Sequence, residues 1–286
     1  MSGMSVDLIC PLYHAESYLD SLHSSILAQQ TVNLHEVHYV VTDASQEIVD
    51  RLKKLDHCVF RAIDHTQFSH SRTREEEAFR CEADILVFIT QDIHIHGNDW
   101  LSNLIRPIVQ GDSAASYGRQ ICTNHTIERY TREKNYPEHS MIKSRNDIST
   151  LGFYTYFFSD ACSAVKRSVF NDLDGYDHKD FPSNEDTYMA YKLITNGYSI
   201  AYCADAVVDH SHQFSLKQLY DRYYLTGAFF AMEPELKKLK AESAGAGLAK
   251  YILKRAMAEK NFRVIFGFVP NMAARYLGMK AGEHAK

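Results

Sequence analysis

Five apolar residues in a row, Ile85-Leu86-Val87-Phe88-Ile89, run directly into Thr90-Gln91-Asp92, and this stretch limits what the chain can become. With β-branched Ile85, Val87 and Ile89 among them, neither face of the segment suits water. It reads as a strand covered on both sides, in the middle of a parallel sheet. A polar Thr-Gln-Asp at the carboxyl end of such a strand falls where open α/β sheets bind ligands. Asp92 is therefore placed to hold a divalent cation rather than merely to start a turn.

The chain around it keeps the same rhythm. Ser5 to Cys10 reads as a first strand stopped by Pro11, Val37 to Val41 as a second and Cys58 to Ile63 as a third. Between the first two, Tyr18, Leu19, Leu22, Ile26 and Leu27 recur at helical spacing across residues 15–30, and Ile48 to Leu55 forms a short helix. Strand, helix, strand repeated in this way implies right-handed crossovers and an α/β sheet. A helix starts near Ser69 to Ser71 with Glu75-Glu76-Glu77 in its first turns, and Asn98 caps another that carries Trp100, Leu101, Leu104, Ile105 and Ile108. Ala114 to Gly118 is strand-like, residues 124–149 read as an irregular polar loop or lid, and Phe157 to Val165 as a strand. Ser168 caps a short helix, Asp174-Gly175-Tyr176 is a turn, and Ser183 to Asp186 open the helix Thr187 to Thr195. Ser199 to Cys203 and Ala206 to Asp209 are two short strands, and from Ser215 the chain is helical with breaks at Pro234 and Gly245-Ala246-Gly247.

No apolar run approaches the roughly 20 residues that span a bilayer, and no basic-then-apolar leader opens the sequence, so a cytoplasmic location is expected. The six cysteines form no CxxC pair and read as reduced, buried thiols. The net charge of −5 hides an asymmetry: residues 213–286 carry 13 Lys and Arg against 6 Asp and Glu, a net of +7, which leaves −12 on residues 1–212. A basic, aromatic-rich tail suits an anionic partner. The acidic body argues against nucleic acid and leaves a membrane surface.

Polar residues stand at the strand ends and helix starts: Tyr13, Asp43, Arg72 with Arg74, Asp92, Glu185 with Asp186, and His210 with His212. In a parallel sheet they converge on one edge. His210 and His212, two apart, point to one side and can join Asp92 on Mn²⁺ or Mg²⁺. His94 and His96 repeat that spacing but are expected to face outward. Glu185 or Asp186 can take a proton from an attacking hydroxyl, and Arg72 and Arg74 can offset phosphate charge.

In order along the chain, Pro11-Leu12-Tyr13, Thr42-Asp43-Ala44-Ser45, Phe68 to Arg74, Thr90-Gln91-Asp92-Ile93, Gly118-Arg119-Gln120, Phe158 to Ala164, Gly175-Tyr176, Asn184-Glu185-Asp186 and Val208 to Ser215 resemble the motifs of family 2 glycosyltransferases, and more closely the bacterial rhamnosyltransferases of surface polysaccharides. The resemblance spans about residues 5–230. It implies an α/β, GT-A (Rossmann-like) fold with a mostly parallel central sheet flanked by helices. A catalytic domain would cover residues 1–214, with a nucleotide-binding half to about 118 and an acceptor half beyond it, and a helical C-terminal extension residues 215–286. It further implies an inverting glycosyltransferase whose dTDP-sugar donor, dTDP-β-L-rhamnose, lies with its base near Tyr13 and Asp43. Pro11, His70, Arg72, Arg74, Gln91 and Arg119 would complete donor binding. Asp92, His210 and His212 would hold the divalent cation, and Asp186, or failing it Glu185, would be the base. Thr42, Ala44 and Ser71 depart from the family's usual Asp, Gly and Gly, and loosen the inference about the base of the nucleotide. Lipid-linked or saccharide acceptors follow from the resemblance, with the protein peripheral on the inner face of the cytoplasmic membrane. Tyr220, Tyr223, Tyr224, Phe229 and Phe230, with Lys237, Lys238 and Lys240, either lie in that interface or pack against the body or a homodimer partner.

Two other readings compete. A metal-dependent hydrolase would use Asp92 with His94, His96, His210 and His212 as a histidine-rich site. A non-catalytic nucleotide-sugar module would not need Asp186. No GxGxxG follows the first strand, which argues against a dehydrogenase.

Overall fold

The structure is a computed structural model and describes residues 3–241 and 246–284. Gly245 of the expected helical break lies outside the described residues. In chain order the elements are β1 (Ser5–Tyr13), α1 (Leu19–Leu27), β2 (Asn33–Thr42), α2 (Gln46–Leu52), β3 (Cys58–Ile63), α3 (His70–Ala78), β4 (Ile85–Ile89), β5 (His94–Ile95), α4 (Trp100–Gln110), β6 (Ala115–Ile121) and α5 (Ile127–Asn135). They continue with β7 (Met141–Lys143), α6 (Ile148–Leu151), β8 (Cys162–Lys166), α7 (Arg167–Asp172), α8 (Glu185–Thr195), β9 (Ile200–Asp209), α9 (Leu216–Met232), α10 (Pro234–Ala241), α11 (Ala246–Ala258) and α12 (Phe262–Gly282).

Among the described residues nine strands join one sheet in the order β3-β2-β1-β4-β8-β6-β9-β5, with β7 also on β9. Pairs β3–β2, β2–β1, β1–β4 and β6–β9 are parallel, and β8 runs antiparallel to both β4 and β6. Two reversals restore direction, so β1, β2, β4, β6 and β9 all end on one edge. The β4 strand is fully buried, as its apolar run requires, and its core layers include Trp100, Leu101 and Leu104 of α4 on one face and Phe170 and Tyr176 on the other.

Several boundaries differ from the sequence reading. The β1 strand runs through Pro11 to Tyr13, because its pairing with β4 ends at Ile9 and the missing proline N–H breaks no ladder bond there. The two strands expected at residues 199–209 are one, β9, with a bulge where Gly118 faces Cys203 and Arg119 faces Val207. The supposed loop at 124–149 contains α5, β7 and α6. Of the expected strand at 157–165, only the portion from Cys162 is paired. Caps also shift: Asp99 rather than Asn98 precedes α4, Lys166 rather than Ser168 precedes α7, and α8 begins at Glu185.

Phe229 and Phe230 of α9 and Leu236 of α10 belong to the same apolar cluster as Phe88 and Tyr117, so these helices are built onto the sheet. Helices α9 and α12 run side by side at backbone contact. A Cβ on Gly278 would stand 2.3 Å from Tyr220 O, one on Gly282 1.9 Å from Tyr224 O, and one on Gly227 2.2 Å from Met279 O. Only glycine fits there. No described helix is long and apolar enough to cross a membrane.

Candidate active site

The strand ends deliver the expected groups. Gln91, just past β4, reaches back to the end of β1: its Oε1 accepts from Tyr13 N at 2.7 Å and its Nε2 donates to Tyr13 O at 2.8 Å. Both polar ends of Gln91 are thus used in fixing the Tyr13 loop beside Asp92, while the Tyr13 ring stays half exposed. Asp43, at the end of β2 with φ +50°, accepts from His65 N at 3.0 Å.

On the other side of Asp92 the β9 exit is stitched to the β6 exit. His210 N donates to Ile121 O at 3.0 Å, Thr123 N to Ser211 Oγ at 3.0 Å, and Asn124 Nδ2 to His212 O at 2.7 Å. This brings His210 Nε2 and His212 Nε2 each to 3.5 Å from an Asp92 carboxylate oxygen and to 2.7 Å from one another.

The other ring nitrogen of His210 is held by Gln120 and Arg132. Arg132 only donates, and it donates to Gln120 Oε1, while Gln120 Nε2 donates to Ser159 Oγ at 2.8 Å. The oxygen of Gln120 faces His210 Nδ1 at 2.9 Å, and Arg132 Nη2 lies 3.3 Å from the same nitrogen. His210 Nε2 faces Asp92 and His212. Two imidazole nitrogens this close call for a proton or a cation between them, and with the Asp92 carboxylate beside them the set fits a divalent ion. Phe214 stacks on His212 at 4.9 Å, and Arg222 lies over the Phe214 ring at 4.7 Å.

Burial works to raise the Asp92 carboxyl, but the hydrogen bond from His210 and the charges of both imidazoles outweigh it and hold the group well below the usual carboxylate range. Burial also pulls both histidines down, His212 to about 4. At neutral pH the trio is one carboxylate and two neutral imidazoles, the protonation state that ligation needs.

A second cluster lies deeper. Arg74 of α3 and Glu185 of α8 are both buried and pair at 3.2 Å. Asp160 is buried with them and accepts from Tyr176 Oη at 2.6 Å and Ser163 Oγ at 2.7 Å. Burial, opposed by Arg74 and reinforced by Glu185, lifts Asp160 to about 6. Asp186 receives Thr187 N at 2.6 Å but no cation pairs with it among the described residues. Burial first, then the charges of Glu185 and Asp160, raise it well above the ordinary value. Glu185 is committed to Arg74, whereas Asp186 is the basic carboxylate left over. The two clusters adjoin: the buried Cys10 thiol feels both Arg74 and Asp92, and Tyr136 feels both Arg132 and Asp186.

Other expected groups sit elsewhere. Arg72 is two residues from Arg74, about 200° around α3, and pairs with Glu76 at 3.4 Å. His70 opens α3, and its carbonyl accepts from Arg74 at 2.9 Å. Arg119 pairs with Glu138 at 3.2 Å, and its neighbour Gln120 is the one that meets His210. His94 on the edge strand β5 and His96 just after it are exposed, outside the Asp92 cluster, so the histidine-rich hydrolase site does not assemble. Sequence reasoning missed Gln120, Arg132, Asp160 and Arg222; Gln120 and Asp160 lie inside motifs already singled out, but Arg132 lay in the supposed loop.

The sheet order and the cleft at its strand ends are those of the GT-A glycosyltransferase fold. A family model described as "Glycosyl transferase family 2" matches residues 7–174, and the chain belongs to that family. It is 32% identical to the O-antigen chain rhamnosyltransferase RfbN of Salmonella typhimurium, over 98% of this chain and 90% of that protein. It is 33% identical to the O-antigen chain rhamnosyltransferase WbaN of Salmonella anatum, over 78% of this chain and 71% of that one. Among solved structures, S. aureus TarS 1-349 in complex with UDP-GlcNAc superposes with a TM-score of 0.60 at 16% identity, covering 88% of this chain and 71% of that one. The mannosyltransferase PcManGT from Pyrobaculum calidifontis, in complex with GDP-Man and Mn²⁺, gives 0.60 at 15% identity over 97% and 85%. These two establish the fold. The protein is a glycosyltransferase that uses a nucleotide-sugar donor, and enzymes of this fold typically use a divalent cation.

Proposed function

We propose that the chain transfers L-rhamnose from dTDP-L-rhamnose, with inversion, to a saccharide acceptor carried on a lipid during surface polysaccharide synthesis. The rhamnosyltransferase relatives support the sugar, and the observation that carries the chemistry is the assembly of Asp92, His210 and His212 beside a half-buried, basic Asp186. Tyr13 and Asp43 would receive the nucleobase. Asp92, His210 and His212 would hold the cation, and two imidazoles with one carboxylate favour Mn²⁺ over Mg²⁺. A divalent ion there offsets the charge growing on the leaving diphosphate. The acceptor hydroxyl oxygen attacks the anomeric carbon as the bond from that carbon to the diphosphate oxygen breaks on the opposite face. The hydroxyl proton passes to Asp186. Glu185 and Arg74 act as positioning residues, their ion pair holding the first turn of α8 in place.

The membrane side of this reading moves from α9 to α12. Phe229 and Phe230 are buried and Lys240 covers the Phe230 ring at 3.9 Å, so they are unavailable to lipid. Instead Phe262, Phe266, Val269, Tyr276 and Leu277 lie along one exposed face of α12. Residues 246–284 carry 7 Lys and Arg against 2 Glu, which complements an anionic bilayer. Phe266→Ser with Val269→Ser should reduce sedimentation with phosphatidylglycerol vesicles several-fold; unchanged sedimentation would remove the membrane from the proposal.

The donor is tested by incubating the protein with Mn²⁺ and a panel of sugar nucleotides. Nucleotide release and the largest rise in melting temperature are expected with dTDP-L-rhamnose. A stronger response to another sugar nucleotide would refute the rhamnose assignment.

A further inference from the structure

Away from the strand ends that carry the trio, the first residues of β1 meet β2 and the chain leaving α3. Asp7 precedes Tyr13 on β1 by six residues, roughly 20 Å along the strand. The pairing of β1 with β2 slips here: Val6 faces Leu34 but Asp7 faces Glu36, so His35 is the extra residue of a bulge. His35 Nδ1 meets Asp7 Oδ1 at 2.8 Å. Asp7 also accepts from Glu36 N at 3.0 Å, Glu82 N at 3.0 Å and Ala83 N at 2.9 Å, so this wholly buried carboxylate is fixed by four neighbours.

His38 stands two residues after Glu36 and shares its face of β2. Its Nδ1 lies 2.9 Å from Glu77 Oε1, and Arg61 Nε donates to Glu77 Oε2 at 3.2 Å. A carboxylate paired with a guanidinium only accepts, so Nδ1 donates. The other ring nitrogen, Nε2, is buried and makes no hydrogen bond, with Glu36 Oε2 3.2 Å away and Asp7 Oδ2 4.0 Å away. Two carboxylates facing that nitrogen call for a positive charge between them. The Cys81 thiol completes the group: Asp7, His38 and Cys81 offer ligand atoms that all lie within 4.8 Å of one another. Ligands of a tetrahedral zinc ion stand roughly 3.3–3.8 Å apart, so the set needs to close by about 1 Å.

Two features set this group apart from a chance gathering of polar side chains. Its histidine donates one N–H to a carboxylate and aims the other nitrogen at the cluster, which is how ligating histidines are oriented. Of the clusters able to hold a metal ion among the described residues, it alone contains a thiol.

We propose that His38 Nε2, Cys81 Sγ and Glu36 Oε2 bind a zinc ion against the Asp7 carboxylate. Sulfur and imidazole beside carboxylate oxygen select zinc over the harder Mn²⁺ and Mg²⁺ expected at the trio. On binding, the thiol proton leaves to solvent as sulfur bonds to the metal, with no change of oxidation state. Asp7, His38 and Cys81 are all buried, so no position opens to a substrate. The ion is structural and ties β1 and β2 to the turn between α3 and β4. The site is independent of the glycosyl-transfer reading.

Cobalt(II) reports a thiolate ligand through a charge-transfer band in the near ultraviolet, and the trio has no sulfur to produce one. Titrating the full chain carrying Asp92→Asn, which cripples the trio, with Co²⁺ and then Zn²⁺ tests the site. One cobalt per chain with the band, its displacement by zinc, and a melting temperature raised several degrees by zinc are expected. Added to that background, Cys81→Ala should abolish the band, and Glu36→Gln should weaken zinc binding tenfold or more. Melting temperatures without metal confirm that both are folded, and they decide the matter even where His38→Gln fails to fold. No band, a band that survives Cys81→Ala, or an unchanged zinc affinity in Glu36→Gln overturns the proposal. A second proton on His38, shared with Glu36, is the rival occupant and would leave the chain indifferent to both metals.

Discussion

The cation trio and the carboxylate cluster behind it use the same acid in opposite ways. Asp92 is partly open, faces two imidazoles and is held ionised far below its usual range. Asp186, exposed to a similar degree, stands beside Glu185 and Asp160 and is driven the other way. Such divergence between neighbouring carboxylates divides labour: the acidic one grips charge, the basic one accepts a proton. What separates them is company, since Arg74, whose charge reaches Asp186, is already paired with Glu185.

That contrast can be broken most severely at Asp186. Asp186→Asn removes the proton acceptor and should lower kcat on the order of a thousandfold while leaving the nucleotide-induced rise in melting temperature intact; residual transfer near the parent rate would mean the base lies elsewhere. Its pH profile sharpens the same point. Activity should rise with pH on a limb set above the ordinary carboxylate range, and that limb should be the feature missing from any activity left in the variant.

Next in size, Arg74→Met strands Glu185 and Asp160 without their cation. Urea unfolding should show a loss of about 3–5 kcal/mol, as for breaking a buried pair, and adding Glu185→Gln should return part of it. A loss of under about 1 kcal/mol would show that the ion pair is not what holds α3 to α8.

A smaller effect is expected on the trio. Gln120→Leu removes a partner that orients the His210 ring and should weaken Mn²⁺ binding about 10–100-fold with little change in melting temperature. An unchanged affinity would count against the second-shell role of Gln120.

The mildest test is of Asp160. Its carboxyl is pushed up to about 6 by burial in the folded protein from an ordinary 3.8, so between those values the native state holds a proton that the unfolded chain has lost. Stability from this group is full below about 3.8 and declines as pH climbs to about 6. Asp160→Asn should therefore look relatively more stable at pH 7.5 than at pH 4.5 when melting temperatures are compared with the parent; a constant difference would contradict the shift.

Elements with a strong local signal were legible in the sequence, and those made by distant partners were not. The β3 and β4 strands fall where their apolar residues place them, and the five core positions of α4 are all buried. The α5 helix escaped notice because Ile127 and Tyr130 are its only buried residues. Much of its support comes from Glu133 and Arg129 contacts to α11, more than 100 residues away. Glu75 and Glu77 look like favourable charges at an exposed helix start, yet both are buried. Glu75 accepts from Tyr176 N at 2.6 Å and Glu77 binds His38 at 2.9 Å. At the site, Asp92, His210 and His212 could be named because strand ends advertise themselves. Gln120, Arg132 and Asp160 act through contacts that only the folded sheet creates.

The three glycines between α9 and α12 settle one further matter. With main chains touching at Gly227, Gly278 and Gly282, the last helix has no freedom to roll about its axis, and its ring-bearing edge cannot be tucked inward. The purified protein must carry that greasy edge at all times. Its solubility should accordingly respond to detergent, and stay indifferent to whether sugar nucleotide is present.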